Sequence, residues 1–309
     1  MAEYDSEEIA ENALFHYTNA TGLMGILKDN SLRATAYYCT NDRAEFTYSK
    51  DVIESLFSKE LLSKFPYAYQ PTSMLAEEMA LKYAKEMKRF LDECDTYITC
   101  FTMAKNKTYK HGLLSQWRGY GKDGGYAIEF NFKMLEKIYR VLYAKYTTSS
   151  GKKISGTVSP LEKVNYGKSE QNKLANDIRE KYIKPWVNQF GDLKDIISDP
   201  RKIDFIDEGE KLAHLWKMAA FTKNPHFDEE HEYRVFILEK NKKCKYFNRN
   251  GLIVPYVIPK MKIIPCIQRI IIGPSPRIDD RERTIKSLLK SYNMDDVIVE
   301  QSEIPYVKG

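Results

Sequence analysis

Two short polar segments, one near each end of the chain, carry residue types that could act on a sugar. In residues 15–18, F-H-Y-T, a strand would place His16 on one face with Thr18. In residues 231–238, H-E-Y-R-V-F-I-L, alternation places Glu232 and Arg234 on one face and apolar side chains on the other. A histidine can orient a hydroxyl, and a carboxylate can stabilise the positive charge that develops as a leaving group departs.

The elements that must position these residues follow from periodicity. Residues 14–18 read as a strand, and Leu23, Ile26 and Leu27 share one face of the helix that follows. Further strands are predicted at 32–39, 97–103, 126–132, 232–238, 252–258, 269–272 and 297–299. Helices are predicted at 74–91, 113–120 and 280–289, and the first of these is expected to cover a sheet.

Strands at both ends of the chain with helical segments between them indicate an α+β fold. We expect a single elaborated domain over residues 1–309, with helical insertions at about 42–92 and 169–221 and a loop at 148–157. The early and late strands are expected to meet in the core. That arrangement would bring His16 towards Glu232.

Other motifs exclude several common chemistries. Residues 119–124, G-Y-G-K-D-G, satisfy G-x-G-x-x-G, but helix-like residues precede them and a strand follows, the reverse of a Rossmann fingerprint. We interpret them as a turn that shapes a cleft, with Arg118 near its rim. Residues 226–232 crowd His, Asp and Glu at a spacing that matches no zinc or iron signature, so no metal site is predicted. Serine-hydrolase and P-loop motifs have no match.

Six short motifs in order resemble a known family. They are F-H-Y-T at 15–18, Asn41-Asp42 with Glu45, S-Q-W-R-G-Y-G at 115–121, G-Y-A-I-E-F at 125–130, E-Y-R at 232–234 and I-I-G-P at 271–274. Together they resemble domain-of-unknown-function family 2971 from about His16 to near the C-terminus. The histidine on an early strand and the glutamate on a late strand are also similar, more distantly, to the His-Tyr-Glu class of ADP-ribosyltransferases.

The second resemblance implies an NAD-dependent mono-ADP-ribosyltransferase with a mixed, split β core around a cleft. His16 would orient the dinucleotide by donating a hydrogen bond, and Glu232 would stabilise the oxocarbenium-like transition state. Either Tyr38 or Tyr126 would pack the nicotinamide. The remaining candidates for contacts with NAD are Tyr17, Thr18 and Tyr37, with Arg118 and Arg234 as phosphate contacts.

The resemblance also implies a bacterial toxin or phage-defence effector with a cognate antitoxin. The acceptor would be a nucleic acid, with RNA preferred, or a protein, and water could take the ADP-ribose instead. Two alternatives are a noncatalytic module that senses a nucleotide or phage component, and an NAD-independent nuclease that uses His16 with acidic residues.

The amino-acid composition indicates the cellular compartment and is compatible with NAD and nucleic acid as ligands. The 309 residues carry a formal charge of +5, which allows an anionic ligand without requiring one. The 22 tyrosines and 14 phenylalanines, where interleaved with lysines, could stack bases. Five cysteines without a C-x-x-C pair fit a reducing compartment. With an acidic N-terminus and no apolar run near the roughly 20 residues that span a bilayer, we predict a soluble cytoplasmic protein without a membrane partner.

Overall fold

The chain divides into two compact units. The computed structural model describes residues 13–40, 45–93, 96–103, 111–121, 124–148, 157–167, 173, 175–198, 220–238, 244–249 and 251–305. Unit 1 comprises residues 1–41, 96–163 and 229–309, and unit 2 comprises residues 42–95 and 164–228. The expectation of one elaborated domain over residues 1–309 stays a prediction.

Unit 1 is built on one sheet, in which the described residues form eleven strands. They are β1 Ala13–Thr18, β2 Ala34–Ala36, β3 Thr96–Met103, β4 Tyr126–Asn131, β5 Thr157–Val158, β6 Glu162–Lys163, β7 Glu232–Leu238, β8 Lys245–Arg249, β9 Leu252–Val257, β10 Ile267–Ile272 and β11 Ile298–Gln301. One path runs β11-β10-β4-β1-β3-β2-β9-β8, while β7 pairs with β3, β5 and β6. The sheet is mixed, because β10 and β11 are parallel and the other pairs are antiparallel.

Helices occur in both units, which confirms a mixed α and β architecture. The described α-helices are α1 Ala20–Asp29, α2 Glu45–Lys64, α3 Tyr69–Glu93, α4 Leu114–Tyr120, α5 Phe132–Thr148, α6 Lys184–Asn188, α7 Leu193–Ser198 and α8 Ile278–Ser291. Helix α1 begins where the Asn19 side chain accepts a hydrogen bond from the Gly22 N–H. It ends at Asn30, whose left-handed backbone (φ 46°) stops the helix.

The sheet divides at β3. Strand β1 pairs with Thr102 and Met103, whereas β2 pairs with Tyr97 and Ile98. Strand β7 pairs with residues 96–102 along the opposite edge of β3. Because a strand has only two edges, β1 and β2 must leave the same edge on either side of residues 99–101. We call this opening the fork.

The two faces of the sheet around β1 bury different partners. Face 1, which contains Leu14 and Ile128, forms a core with apolar side chains of α1, α5 and α8. Face 2, which contains Phe15, Tyr17 and Ala127, packs against Trp117 of α4. This alternation along β1 is the period of two expected of a strand buried on both sides. Each residue of β1 can therefore be assigned to a face, which decides which site residues can meet.

Unit 2 is helical, and its core corrects one prediction. Leu75 and Met79 of α3 belong to an apolar cluster with Ile53 and Phe57 of α2 and with residues 175–196. The helix predicted to cover a sheet therefore packs on other helices. Its spacing of four marks a buried stripe but does not specify what the stripe buries against.

The strand predicted at residues 32–39 is also wrong in its second half. Strand β2 stops at Ala36, and Tyr37–Cys39 form a 3₁₀ turn that the Thr40 N–H closes on the Tyr37 carbonyl. The Arg249 guanidinium donates to the Cys39 carbonyl, which holds the turn against β8. Residues 149–156 of the predicted loop and 199–219 of the predicted helical insertion lie outside the described residues.

Candidate functional site at the fork

His16 lies at the fork and is held in one tautomer. Its Nδ1 is 3.0 Å from the Cys100 carbonyl oxygen, and its ring centroid is 5.9 Å from that of Phe101. A carbonyl oxygen only accepts hydrogen bonds, so Nδ1 carries the proton. Burial lowers the pKa of His16 below the ordinary value of 6.5. The ring is therefore neutral at pH 7, so Nε2 carries no proton and is available only as an acceptor, whereas the sequence analysis expected His16 to donate a hydrogen bond to the ligand.

The backbone of Arg33 is tied to the same opening, and the sequence analysis missed this residue. Its carbonyl accepts a hydrogen bond from the Thr99 hydroxyl at 3.3 Å, which ties its backbone to the fork. Its guanidinium lies 4.8 Å over the Tyr256 ring and 3.6 Å from the Asp29 carboxylate. A Cβ on residue 25 would lie 2.1 Å from Arg33 Nη2, so Gly25 is what lets the side chain pass α1. The signal in the sequence was that glycine inside a helix.

Glu232 and Arg234 form a buried ion pair on face 2. Arg234 Nε donates to Glu232 Oε1 at 2.8 Å and Nη2 donates to Oε2 at 2.6 Å. The two residues are only 6% and 2% exposed. Their shared strand face, predicted from alternation, is confirmed. Such a bidentate pair fixes the carboxylate plane, and each oxygen keeps capacity for a further hydrogen bond.

The register separates His16 from Glu232. Glu232 pairs with Thr102, which pairs with Phe15, so all three lie on face 2. His16 follows Phe15 in the strand and lies on face 1. The histidine and the carboxylate therefore belong to strands that flank β3, at neighbouring positions but on opposite faces, and the expectation that His16 approaches Glu232 stays a prediction.

The two tyrosines proposed to pack nicotinamide have different surroundings. Tyr38 is 52% exposed on the 3₁₀ turn, where its ring contacts that of Tyr37 at a centroid distance of 5.5 Å. Tyr126 is buried in the core of face 1, and its register partner is Thr18. Thr18 and His16 share face 1, so Tyr126 is the tyrosine on the histidine's side of the sheet.

Two remaining candidates lie away from the fork. The Tyr17 hydroxyl accepts a hydrogen bond from the Leu113 N–H at 2.8 Å, and its ring contacts Trp117 on face 2. Burial raises the pKa of Tyr17, which keeps it protonated. Arg118 is exposed on α4. The structure thus brings Tyr17 into a packed core, and it leaves Arg118 at the surface.

A second buried charge cluster on face 2 was not predicted. Arg269 donates to Glu129 Oε2 and to Glu300 Oε2, each at 2.6 Å, and its guanidinium lies 5.7 Å from the Phe15 ring centroid. The signal was a single charged residue in each of two mostly apolar strands, Y-A-I-E-F-N and I-Q-R-I-I-I. Because these ion pairs connect β4, β10 and β11, stabilisation of the sheet is enough to explain the cluster.

Within the described ranges, no group of three or more His, Cys, Asp or Glu side chains could hold a metal ion. Likewise, none of the helices that the structure describes is long and apolar enough to cross a bilayer.

Comparison with known proteins gives a family match over part of the chain. Residues 116–235 match the family described as "Protein of unknown function (DUF2971)". The match supports a DUF2971 domain over that stretch, which runs from α4 to the middle of β7. No curated protein and no solved structure matched the chain. The likeness to ADP-ribosyltransferases stays a prediction.

Proposed function

We propose that the protein is an NAD-dependent mono-ADP-ribosyltransferase whose dinucleotide binds at the fork. The observation that supports this proposal is the divided sheet with a neutral histidine anchored to the Cys100 carbonyl at its opening. A divided β core with an early-strand histidine is what the resemblance to the His-Tyr-Glu class implies. Arg33 replaces Arg118 as the proposed phosphate contact, because its backbone is tied to the fork, whereas Arg118 is exposed on α4.

In this reaction the bond between the ribose C1′ and the nicotinamide nitrogen breaks, and nicotinamide leaves with the electron pair. A nucleophile of the acceptor then bonds to C1′ and loses its proton to solvent. His16 would accept a hydrogen bond from a ribose hydroxyl through Nε2, which orients the sugar without a change in charge. Glu232 lies on the opposite face, so the ribose would extend through the fork for this carboxylate to stabilise its developing positive charge, in the plane that Arg234 fixes.

The test measures binding and chemistry separately. Wild-type protein and three variants, His16→Ala, Arg33→Met and Glu232→Gln, are titrated with NAD in a calorimeter and then assayed for released nicotinamide. We expect the first two variants to weaken NAD binding, and Glu232→Gln to lower nicotinamide release about 10²-fold or more while still binding NAD. Glu303→Gln, which alters an exposed carboxylate of the same unit, serves as the matched control.

One observation favours a second candidate, a noncatalytic module that binds a nucleotide at the fork. Glu232 lies on the face opposite His16 and both of its oxygens bind Arg234, an arrangement that suits a structural ion pair. This candidate predicts NAD binding that depends on Arg33 and His16, with no nicotinamide release from any variant. RNA cleavage by the wild-type protein without NAD would overturn both candidates in favour of a nuclease.

A further inference from the structure

The hairpin at the end of the sheet lies in the most basic part of the chain. Between Glu239 and Asp279 the sequence contains nine lysines and arginines and no acidic residue. The rest of the chain has 39 basic residues against 43 acidic ones, so this segment supplies the entire positive excess. In it, Lys245, Lys260 and Lys262 are exposed on and beside the β8–β9 hairpin. Polyanions are the ligands that such a charge distribution attracts.

One face of the hairpin is anchored. The Phe247 ring contacts the Tyr256 ring at a centroid distance of 5.6 Å, and Val254 is fully buried. Arg33 adds a guanidinium over Tyr256, and Arg249 donates to the Cys39 carbonyl. These contacts hold the hairpin in place, so its other face is presented rigidly.

That other face exposes large apolar side chains. The register pairs Tyr246 with Pro255 and Asn248 with Ile253, which places all four on it. Tyr246 is 63% exposed and Ile253 is 70% exposed. We call these four residues the hairpin platform. Lys245 pairs with Tyr256 and so lies on the anchored face, whereas Lys260 and Lys262 are exposed in the segment that follows β9. An exposed aromatic ring with an aliphatic neighbour is a surface on which unpaired bases stack while nearby lysines contact the phosphates.

A second copy of the chain fits this surface poorly. Among the described strands β8 ends the sheet path, so an edge-to-edge dimer would pair β8 with its symmetry mate. An antiparallel pair centred on Phe247 would place Lys245 opposite Arg249 twice, and like charges directly opposite each other destabilise a pair of strands. Charge complementarity therefore favours an anionic partner over another copy.

We propose that the hairpin platform binds single-stranded nucleic acid through base stacking on Tyr246 and phosphate contacts to Lys260 and Lys262. The inference rests on the proposed function in one respect, since the bound strand is then the acceptor of ADP-ribose. Binding itself requires neither NAD nor Glu232.

The experiment titrates full-length protein without NAD into a fluorescent 20-nucleotide RNA, a DNA strand of the same sequence and the corresponding duplex. Base stacking contributes about 1–3 kcal/mol per base, so Tyr246→Ala should weaken single-strand binding about 5- to 150-fold, whereas Tyr246→Phe should bind like the wild type. Replacing Lys260 and Lys262 with alanine should reduce the slope of log K against log salt by about 1.4. Tyr67→Ala, which removes a fully exposed tyrosine of unit 2, should change neither quantity.

Three results would overturn the proposal. They are equal affinity of Tyr246→Ala and wild type for the single strands, a preference for the duplex, and a dimer in sedimentation that Tyr246→Ala dissolves. Comparison of the RNA and DNA arms identifies the sugar that the platform accepts. Nicotinamide release measured on the same preparations keeps the two proposals distinct, because a failure of strand binding with intact release refutes only the platform.

Discussion

Removing the guanidinium of Arg234 should cost more stability than any exposed substitution in the protein. In Arg234→Met the Glu232 carboxylate loses two charge-assisted hydrogen bonds, of 2.8 and 2.6 Å, in a site where both residues are nearly inaccessible to solvent. Breaking a buried pair from one side costs about 3–5 kcal/mol. With a urea m-value of about 3 kcal/mol/M, the midpoint should fall by about 1–1.7 M.

The assay is urea unfolding followed by circular dichroism and tryptophan fluorescence, carried through a double-mutant cycle. Arg234→Met with Glu232→Leu should recover most of the loss, because apolar residues of similar volume can replace a buried pair at little cost. Arg277→Met provides the control, since its exposed pair with Asp280 contributes only about 0.2–1 kcal/mol. A midpoint shift in Arg234→Met no larger than the control's, or a double variant no more stable than Arg234→Met, would contradict the prediction.

Three further predictions concern His16, the path of the Arg33 side chain, and the close backbone approach at Gly125. Because the pKa of His16 is lowered in the folded protein, the unfolded chain binds the proton more readily, and the free energy of unfolding should fall as the pH drops below about 6.5. In His16→Asn this fall should be smaller, which unfolding midpoints measured from pH 7.5 to 5 would show. Gly25→Ala should displace Arg33 and weaken NAD binding like Arg33→Met, while its melting temperature stays near wild type, because only a flexible side-chain end must move. Gly125→Ala should destabilise by about 1–3 kcal/mol in the same melts, because its Cβ would lie 2.5 Å from a backbone atom, whereas Gly191→Ala, with 3.9 Å of clearance, should be nearly neutral.

Local pattern predicted the elements well where burial dominates. Strand β3 and strand β7 start within one residue of their predicted positions, and the alternation in β7 placed Glu232 and Arg234 on one face. The pattern failed in the second half of the 32–39 segment. There a contact from Arg249, about 210 residues away, holds a 3₁₀ turn that the alternation of residues 32–39 does not encode.

The site was harder to predict because it depends on pairing between distant strands. Nothing near His16 in sequence indicates that its ring would bond to Cys100, 84 residues away, or that Thr102 would connect Phe15 with Glu232. The face on which each side chain lies follows from the register, and a shift of one residue would reverse it. Residue type and alternation therefore located candidate strands, but they could not show which side chains share a face across distant strands.

The fork also sets an order of events during synthesis. Strands β1 and β2 precede β3 along the chain, so the fork can form once residue 103 has left the ribosome. Strand β7, which covers the opposite edge of β3, begins only at Glu232. At roughly 5–20 residues per second, that edge waits on the order of 6–26 s for its partner. During this interval the nascent chain exposes an eight-residue template that a neighbouring nascent chain on the same polysome could occupy.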